Sequence, residues 1–425
     1  MDKQRLYIIS LDAFGSQDLA YARTLPNFKY LLDRSAVIKQ VETVYPSLTY
    51  MAHTSVVTGM YPINHGILNN TYLQPKRISP DWHWYAKDIK VPSLFDAAHE
   101  KGYKTASFLW PVTGRSQSID YNFAEIFPNR QWQNQVMVSL YSSSPKFIMD
   151  LNRKYGHLRK GIQQPELDEF LTAGILDTIE NKNPDLLAIH YVELDSMRHK
   201  YGVHSPQAKE AIRNMDRHLG QIIKMMKQKG IFEETIVAIL GDHYQIDTHT
   251  VIHLNSYFET LGWLKKNQRG QIEKWKVVAK SADGATYIYT KPGMDLQTVA
   301  EALRKLPEGI EFIYTQQQAV ELRADKMCSF LLEAERGYYF SDKDGPLYEK
   351  TKGTDYHKAA HGFSPTKENY DTMMFISGPG INQQAKLSFA RLVDAAPTLL
   401  YAMGYEFTHE TDGVILKDLF VAADE

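Results

Sequence analysis

Thr49 follows Pro46 by three residues, and Pro is favoured where a helix begins. The spacing predicts a helix with Thr49 in its first turn, where free backbone N–H groups and the positive end of the dipole favour an anion. A hydroxyl there is placed to attack a phosphorus centre, provided something takes its proton. Metal ions are one answer, and four other places offer ligands for them: Asp12 after the apolar run 6–11, Asp195 with His199, Asp242-His243 after the apolar run 235–240, and His361-Gly362. A two-metal phosphotransfer site needs carboxylates and imidazoles from several strand ends, holding two cations about 4 Å apart. Zinc accepts both donor types in four-coordination, and manganese or iron also suits such a mixed shell. Taken singly these signals are weak. Asp12 reads equally as a loop or capping residue, Asp195 and His199 as an ordinary pair one helical turn apart, and His361 as a satisfied core or surface histidine. Asp242-His243 is stronger, because burying both groups without a partner is costly.

Taken in order, the residues resemble the nucleotide pyrophosphatase/phosphodiesterase (type I phosphodiesterase) branch of the alkaline phosphatase superfamily. That family carries a Thr, an aromatic residue and Pro-Asn-His, then Thr-Gly-x-Tyr-Pro and His-Gly-Ile. Here Thr49, Tyr50, His53, Thr58-Gly59-Met60-Tyr61-Pro62 and His65-Gly66-Ile67 fall at those offsets. Asp195-Ser196 with His199 and Gly202, Gly241-Asp242-His243 and His361-Gly362-Phe363 match its later motifs, with Tyr244 where the family has Gly. Phe108-Leu109-Trp110-Pro111 resembles its Phe-Trp-Pro. The resemblance implies one metal on Asp195, His199 and His361, and a second on Asp12, Asp242, His243 and the Thr49 oxygen. It implies two divalent ions, zinc first, a covalent phospho-threonine, and Tyr50 stacking on a nucleobase; plain packing serves Tyr50 equally well. Met51 and Ala52 stand where the family has Pro-Asn. The resemblance gives that Asn to the phosphoryl oxygens, so Ala52 leaves the oxyanion without an assigned holder.

The expected activity is hydrolysis of phosphodiesters or nucleotide pyrophosphates, with phosphate monoesters or phosphonates of the same superfamily as the alternative. A metal-binding protein without turnover is the reading from another class; competent residues at all the ligand positions argue against it. The expected partner is a small phosphate ester or nucleotide. With 48 basic and 50 acidic residues, nothing suggests a nucleic-acid polymer. There is no Walker-type loop and no dinucleotide Gly fingerprint. The single Cys328 rules out an intramolecular disulfide and fits a reducing compartment. No apolar run of about 20 residues appears, and the first strand is too short for a secretory segment. The expectation is a cytoplasmic protein with no membrane part; oligomeric state stays open.

The elements that must position these residues follow from periodicity. Apolar runs over 6–12, 37–44, 104–110, 185–195, 235–243 and 372–377 read as strands. Helical spacing marks 25–32, 92–102, 166–179, the stretch from Ile212 to Met226, and 393–403. Strand–helix alternation predicts an α/β fold with a doubly wound, mostly parallel sheet. Ligands would then gather beyond the carboxyl ends of the strands. Residues 1–255 and 351–425 form the expected core, and the short mixed elements over 256–350 an α+β insertion. Residues 111–165 show no period, and 72–90 and 350–360 read as loops, the former with Trp82, Trp84 and Tyr85 beside the site. The other histidines read as structural: His53 within its helix, His65 at the turn before Ile67, His190 inside an apolar strand. Asp247, His249 and His253 are a lesser third metal candidate.

Overall fold

A computed structural model describes residues 3–352 and 356–421. Its centre is an eight-stranded sheet built from β1 (Arg5–Leu11), β2 (Ala36–Glu42), β3 (Thr105–Phe108), β4 (Tyr121–Phe123), β5 (Leu186–Tyr191), β6 (Thr235–Leu240), β7 (Thr372–Ser377) and β8 (Lys386–Arg391). The strand order is β8-β2-β7-β6-β1-β5-β3-β4. Only β7 runs against its neighbours, β2 and β6; the other pairs are parallel. The expected doubly wound sheet is therefore present as a mixed one.

Both faces of the sheet are covered, which is why the central strands are apolar without alternation. Along β1, Leu6 and Ile8 enter one core cluster while Tyr7, Ile9 and Leu11 enter the other. The first cluster is closed by α1 (Thr49–Thr58) and α7 (Ala395–Ala402). The second is closed by α4 (Glu166–Asn181) and α6 (Pro206–Gln228), whose Met215 and Met226 are core. Between β4 and α4 lie α2 (Gln135–Ser142) and α3 (Pro145–Tyr155), in the stretch whose sequence shows no period.

Two expected boundaries move. The strand over 185–195 ends at Tyr191, and Asp195 sits instead on α5 (Glu193–Tyr201). Glu193 and Asp195 occupy the first turn of that helix and Arg198, His199 and Lys200 its last, which complements the dipole. The strand over 235–243 ends at Leu240, where Gly241 carries the chain past Phe14: a Cβ on Gly241 would lie 1.8 Å from the Phe14 oxygen. Asp242 and His243 are thus delivered by a close backbone crossing that only glycine allows.

Beyond β6 the chain builds an antiparallel four-stranded sheet from Val277–Ala282, Ala285–Thr290, Phe330–Ala334 and Ile310–Thr315. A further sheet is centred on Ile246–Ile252, which pairs with Gly337–Phe340, Tyr348–Lys350 and Ala359–Ala360. The accessory sheets therefore take in residues on both sides of 256–350. The loop expected over 350–360 falls partly on 353–355, outside the described residues.

Candidate active site

β1, β5 and β6 are adjacent and parallel, so their carboxyl ends deliver side chains to one edge of the sheet. Asp12 follows β1; Asp195 and His199 stand one turn apart on α5 after β5; Asp242 and His243 follow β6. Thr49 is the first residue of α1, after an extended Leu48. His361 arrives from the strand Ala359–Ala360.

The structure brings these residues together in two groups. Asp12, Asp242 and His243 offer ligand atoms within 4.8 Å of one another, as do Asp195, His199 and His361. His243 Nε2 lies 3.2 Å from Asp242 Oδ2, 3.4 Å from Asp12 Oδ1 and 3.1 Å from Thr49 Oγ1. His199 Nε2 lies 3.2 Å from Asp195 Oδ1. The rings of His243 and His361 stack at 4.0 Å and join the two groups.

Outer contacts fix which ring nitrogen faces inward, as is usual for metal ligands. His361 Nδ1 donates to Ser47 O at 3.1 Å and His199 Nδ1 to Ala359 O at 2.8 Å. Each presents Nε2 to the cavity. Two histidines read from the sequence as structural also brace the carboxylates. His190 Nε2 is 2.9 Å from Asp12 Oδ2, and His53, which donates from Nδ1 to Thr49 O within α1, also lies 3.5 Å from Asp242 Oδ2. The sequence signal for His190 was its place in a strand register beside β1, which no single chain segment reveals. His65 holds its turn, accepting from Ile67 N at 3.1 Å. Asp247, His249 and His253 do not converge. Asp247 accepts from Val203 N, His249 bonds Thr250, and His253 bonds Lys343 O.

The electrostatics of the first group bear on what it could hold. Burial pushes Asp12 up, and the charges of Asp195 and Glu125 push it further. Burial and the charge of Asp12 do the same to Asp242. Burial and the neighbouring His361 push His243 down. Asp12 Oδ1 and Asp242 Oδ2 are buried without a hydrogen-bond partner. Such carboxylates and imidazoles call for cations between them, and the mixed O/N donor set fits divalent zinc or manganese. In the second group burial opposes charge, but Asp195 outweighs it and holds His199 up at about 9, with Asp195 correspondingly low.

The cavity over these residues has a volume of about 400 Å³. Trp82 stands in its wall, as the reading of 72–90 as a loop beside the site expects, while other walls carried no sequence assignment: Asn69, Asn70, Glu125, Asp283 and His357. Asn70 accepts from Tyr50 N at 3.0 Å through Oδ1, which turns its amide NH2 away from that bond and leaves it for the cavity. Asn69 is already committed, donating to Ser281 O and accepting from Thr71 N. The concern attached to Ala52 is thereby corrected. Ala52, a residue of α1, is fully buried in the core and does not line the cavity, whereas Asn70 does. The signal for Asn70 was its place three residues after Ile67 of the His65-Gly66-Ile67 motif; nothing in the sequence marked Asp283 or His357, which join His199 only through the tertiary fold. Tyr50 is buried and packs edge-on against Trp82 at 5.3 Å. Among the described residues, those lining the cavity include no Lys or Arg.

A family model described as type I phosphodiesterase/nucleotide pyrophosphatase matches residues 6–364. Venom phosphodiesterase 2 of Crotalus adamanteus is 22% identical over 401 residues, covering 91% of this chain and 44% of that protein. Human ectonucleotide pyrophosphatase/phosphodiesterase family member 5 is 26% identical over 261 residues, covering 61% of this chain and 49% of that protein. The chain thus spans less than half the length of these curated relatives. Among solved structures, an inactive form of murine ectonucleotide pyrophosphatase/phosphodiesterase 5 in complex with AMP superposes with a TM-score of 0.70 at 19% identity, covering 99% of this chain and 100% of that one.

Proposed function

The chain belongs to the type I phosphodiesterase/nucleotide pyrophosphatase family, and from that premise we propose that it is a two-metal hydrolase of phosphodiesters or nucleotide pyrophosphates. The observation that carries the reading is the convergence of Thr49 Oγ1 on His243 Nε2 at 3.1 Å, beside two ligand groups on one sheet edge. Asp12, Asp242, His243 and Thr49 would hold one divalent ion, and Asp195, His199 and His361 the other. Bound there, the ions would supply a lowered hydroxyl pKa and neutralisation of phosphoryl charge.

The chain's own residues do the rest. Thr49 Oγ1 bonds to phosphorus as the leaving oxygen departs on the opposite side, giving a phospho-threonine. Water then breaks that ester and restores the hydroxyl. The Asn70 amide donates to a phosphoryl oxygen and fills the role the sequence left without a residue. Diesters fit better than monoesters, because a dianionic phosphate asks for cationic side chains and the cavity wall has none. A nucleotide is the preferred diester. The solved relative's AMP complex and the aromatic edge of Tyr50 and Trp82 support it.

Initial rates on p-nitrophenyl monoester, diester and phosphonate ester, with metal content determined on the same sample, test the reading. The expected result is two ions per chain and a kcat/KM for the diester about tenfold or more above the others. A monoester or phosphonate preference would move the enzyme to a sister branch, and no release above buffer from any of the three would favour binding without turnover. Asn70→Ala is expected to lower kcat on the diester by about 10²-fold with both ions retained. An unchanged kcat would remove Asn70 from the oxyanion role.

A further inference from the structure

One turn of the accessory sheet reaches into the catalytic cavity. Val277–Ala282 and Ala285–Thr290 form a hairpin with Asp283 and Gly284 at its tip, and Ser281, Ala282 and Asp283 line the cavity. Asp283 has a φ of 54°, in the left-handed region that Asp and Asn tolerate better than most residues. The tip is locked to the segment that carries His361. Gly284 N donates to His361 O at 2.7 Å, Phe340 N donates to Asp283 O at 2.7 Å, and Asp283 N donates to Ser281 Oγ at 3.1 Å. Gly362, with a φ of 82°, lets the two loops meet: a Cβ there would lie 1.8 Å from Ala282 O.

This lock holds the Asp283 carboxylate among imidazoles. Its Oδ2 lies 3.9 Å from His361 Nε2 and 3.7 Å from His357 Nδ1. Both distances are too long for a hydrogen bond, and His357 Nδ1 is buried without a partner. Asp283, His199 and His357 offer ligand atoms within 4.8 Å of one another. His199 thus belongs to this group and to the group of Asp195 and His361. Two donors bound to one ion at about 2.1 Å each stand no more than about 4.2 Å apart. Asp283 Oδ2 is therefore within reach of an ion seated on His361 Nε2, the nitrogen that faces the cavity. Among the described residues no Lys or Arg lines the cavity, so no side chain of fixed positive charge meets this carboxylate there.

We propose that Asp283 is a fourth protein ligand of the second divalent ion, beside Asp195, His199 and His361; the proposal rests on the two-metal reading. Two carboxylates then balance the charge of the ion. Four protein donors complete a tetrahedral zinc shell, whereas manganese takes six ligands and keeps positions for substrate. The second position therefore suits manganese better than zinc. The 256–350 insertion completes the metal site rather than only covering it.

Titration of the chelator-stripped full chain with Mn2+, with free ion read from its electron paramagnetic resonance signal, gives a Kd for each ion. Asp283→Asn keeps the shape of the side chain and suits the same φ, so the stripped variant should melt with the stripped parent. It should raise one Kd about 100-fold and leave the other at its parent value. In a His199→Ala background, where the second ion is already weakened, adding Asp283→Asn should not move the Kd of the first ion. Two unchanged Kd values in Asp283→Asn, in a parent that binds two ions, would overturn the proposal and leave the two-metal reading standing. If the diester KM rises in that case, Asp283 contacts substrate instead. A change in the first ion's Kd in the His199→Ala background would overturn it as well. A parent that binds fewer than two ions would overturn both the proposal and the reading beneath it.

Discussion

Thr49→Ala is expected to lower kcat on a p-nitrophenyl diester by about 10⁴-fold or more, with KM near its parent value and two ions still bound. The size follows from deleting a nucleophile rather than a helper. Thr49 Oγ1 lies 3.1 Å from His243 Nε2 in the first ligand group, and it opens α1 at the positive end of the helix dipole, which favours the arriving phosphate. Metal retention follows because Asp12, Asp242 and His243 remain and the second group is untouched. The buried wall of α1 is left intact, since Thr49 faces the cavity. Thr49→Ser is the companion variant. It keeps the hydroxyl and should keep turnover within about a hundredfold of the parent. Acid quenching during turnover with labelled substrate should trap phosphate on the parent and on the Ser variant but not on the Ala variant. Retained turnover in Thr49→Ala, or label trapped elsewhere in the chain, would show that Thr49 does not carry the phosphoryl group.

Asp242→Asn should reduce bound metal from two ions to about one and lower kcat by about 10³-fold, because it removes a full negative charge from the shell that activates Thr49. Asp242 is fully buried, takes Ala13 N on Oδ1 at 3.1 Å, and turns Oδ2 towards His243 Nε2. Its effect on the metal-free chain should have the opposite sign. Without cations, burial and the charge of Asp12 both act against ionised Asp242. Replacing that carboxylate by an amide relieves the repulsion, and the metal-stripped variant should melt at or a few degrees above the metal-stripped parent. The metal-loaded parent should melt above both, since ions that bind only the folded chain stabilise it. Differential scanning fluorimetry with and without chelator reads both signs. Two ions per chain in Asp242→Asn would remove this residue from the ligand shell.

How far the sequence spoke about each residue depended on whether its evidence was local. Asp242-His243 after an apolar run, or Asp195 with His199 one turn on, are short patterns; both enter the ligand groups, although Asp195 sits on α5 and Asp242 lies beyond the close crossing at Gly241 rather than at a strand end. Residues 111–165 read as irregular because β4 is three residues long and α2 leaves Val136, Met137 and Tyr141 exposed; α3 alone carries helical spacing, in its buried Phe147, Ile148 and Leu151. Ala52 misled for a related reason. Offset along the chain located it beside Thr49, but only packing could show that it points into the core rather than the cavity.

The sequence alone determined the α/β class, the two buried strands that Asp12 and Asp242 follow, and the identity of the nucleophile candidate. Those features are written in periodicity and in residue types at fixed spacing, and a strand buried on both faces must be apolar throughout. Tertiary structure alone decided that His190 would brace Asp12, that Asn70 would free its amide by accepting from Tyr50 N, and that Asp283 and His357 would stand beside His199. These partners are far apart in sequence or joined through backbone bonds, so which of them meet is set by strand order and helix packing.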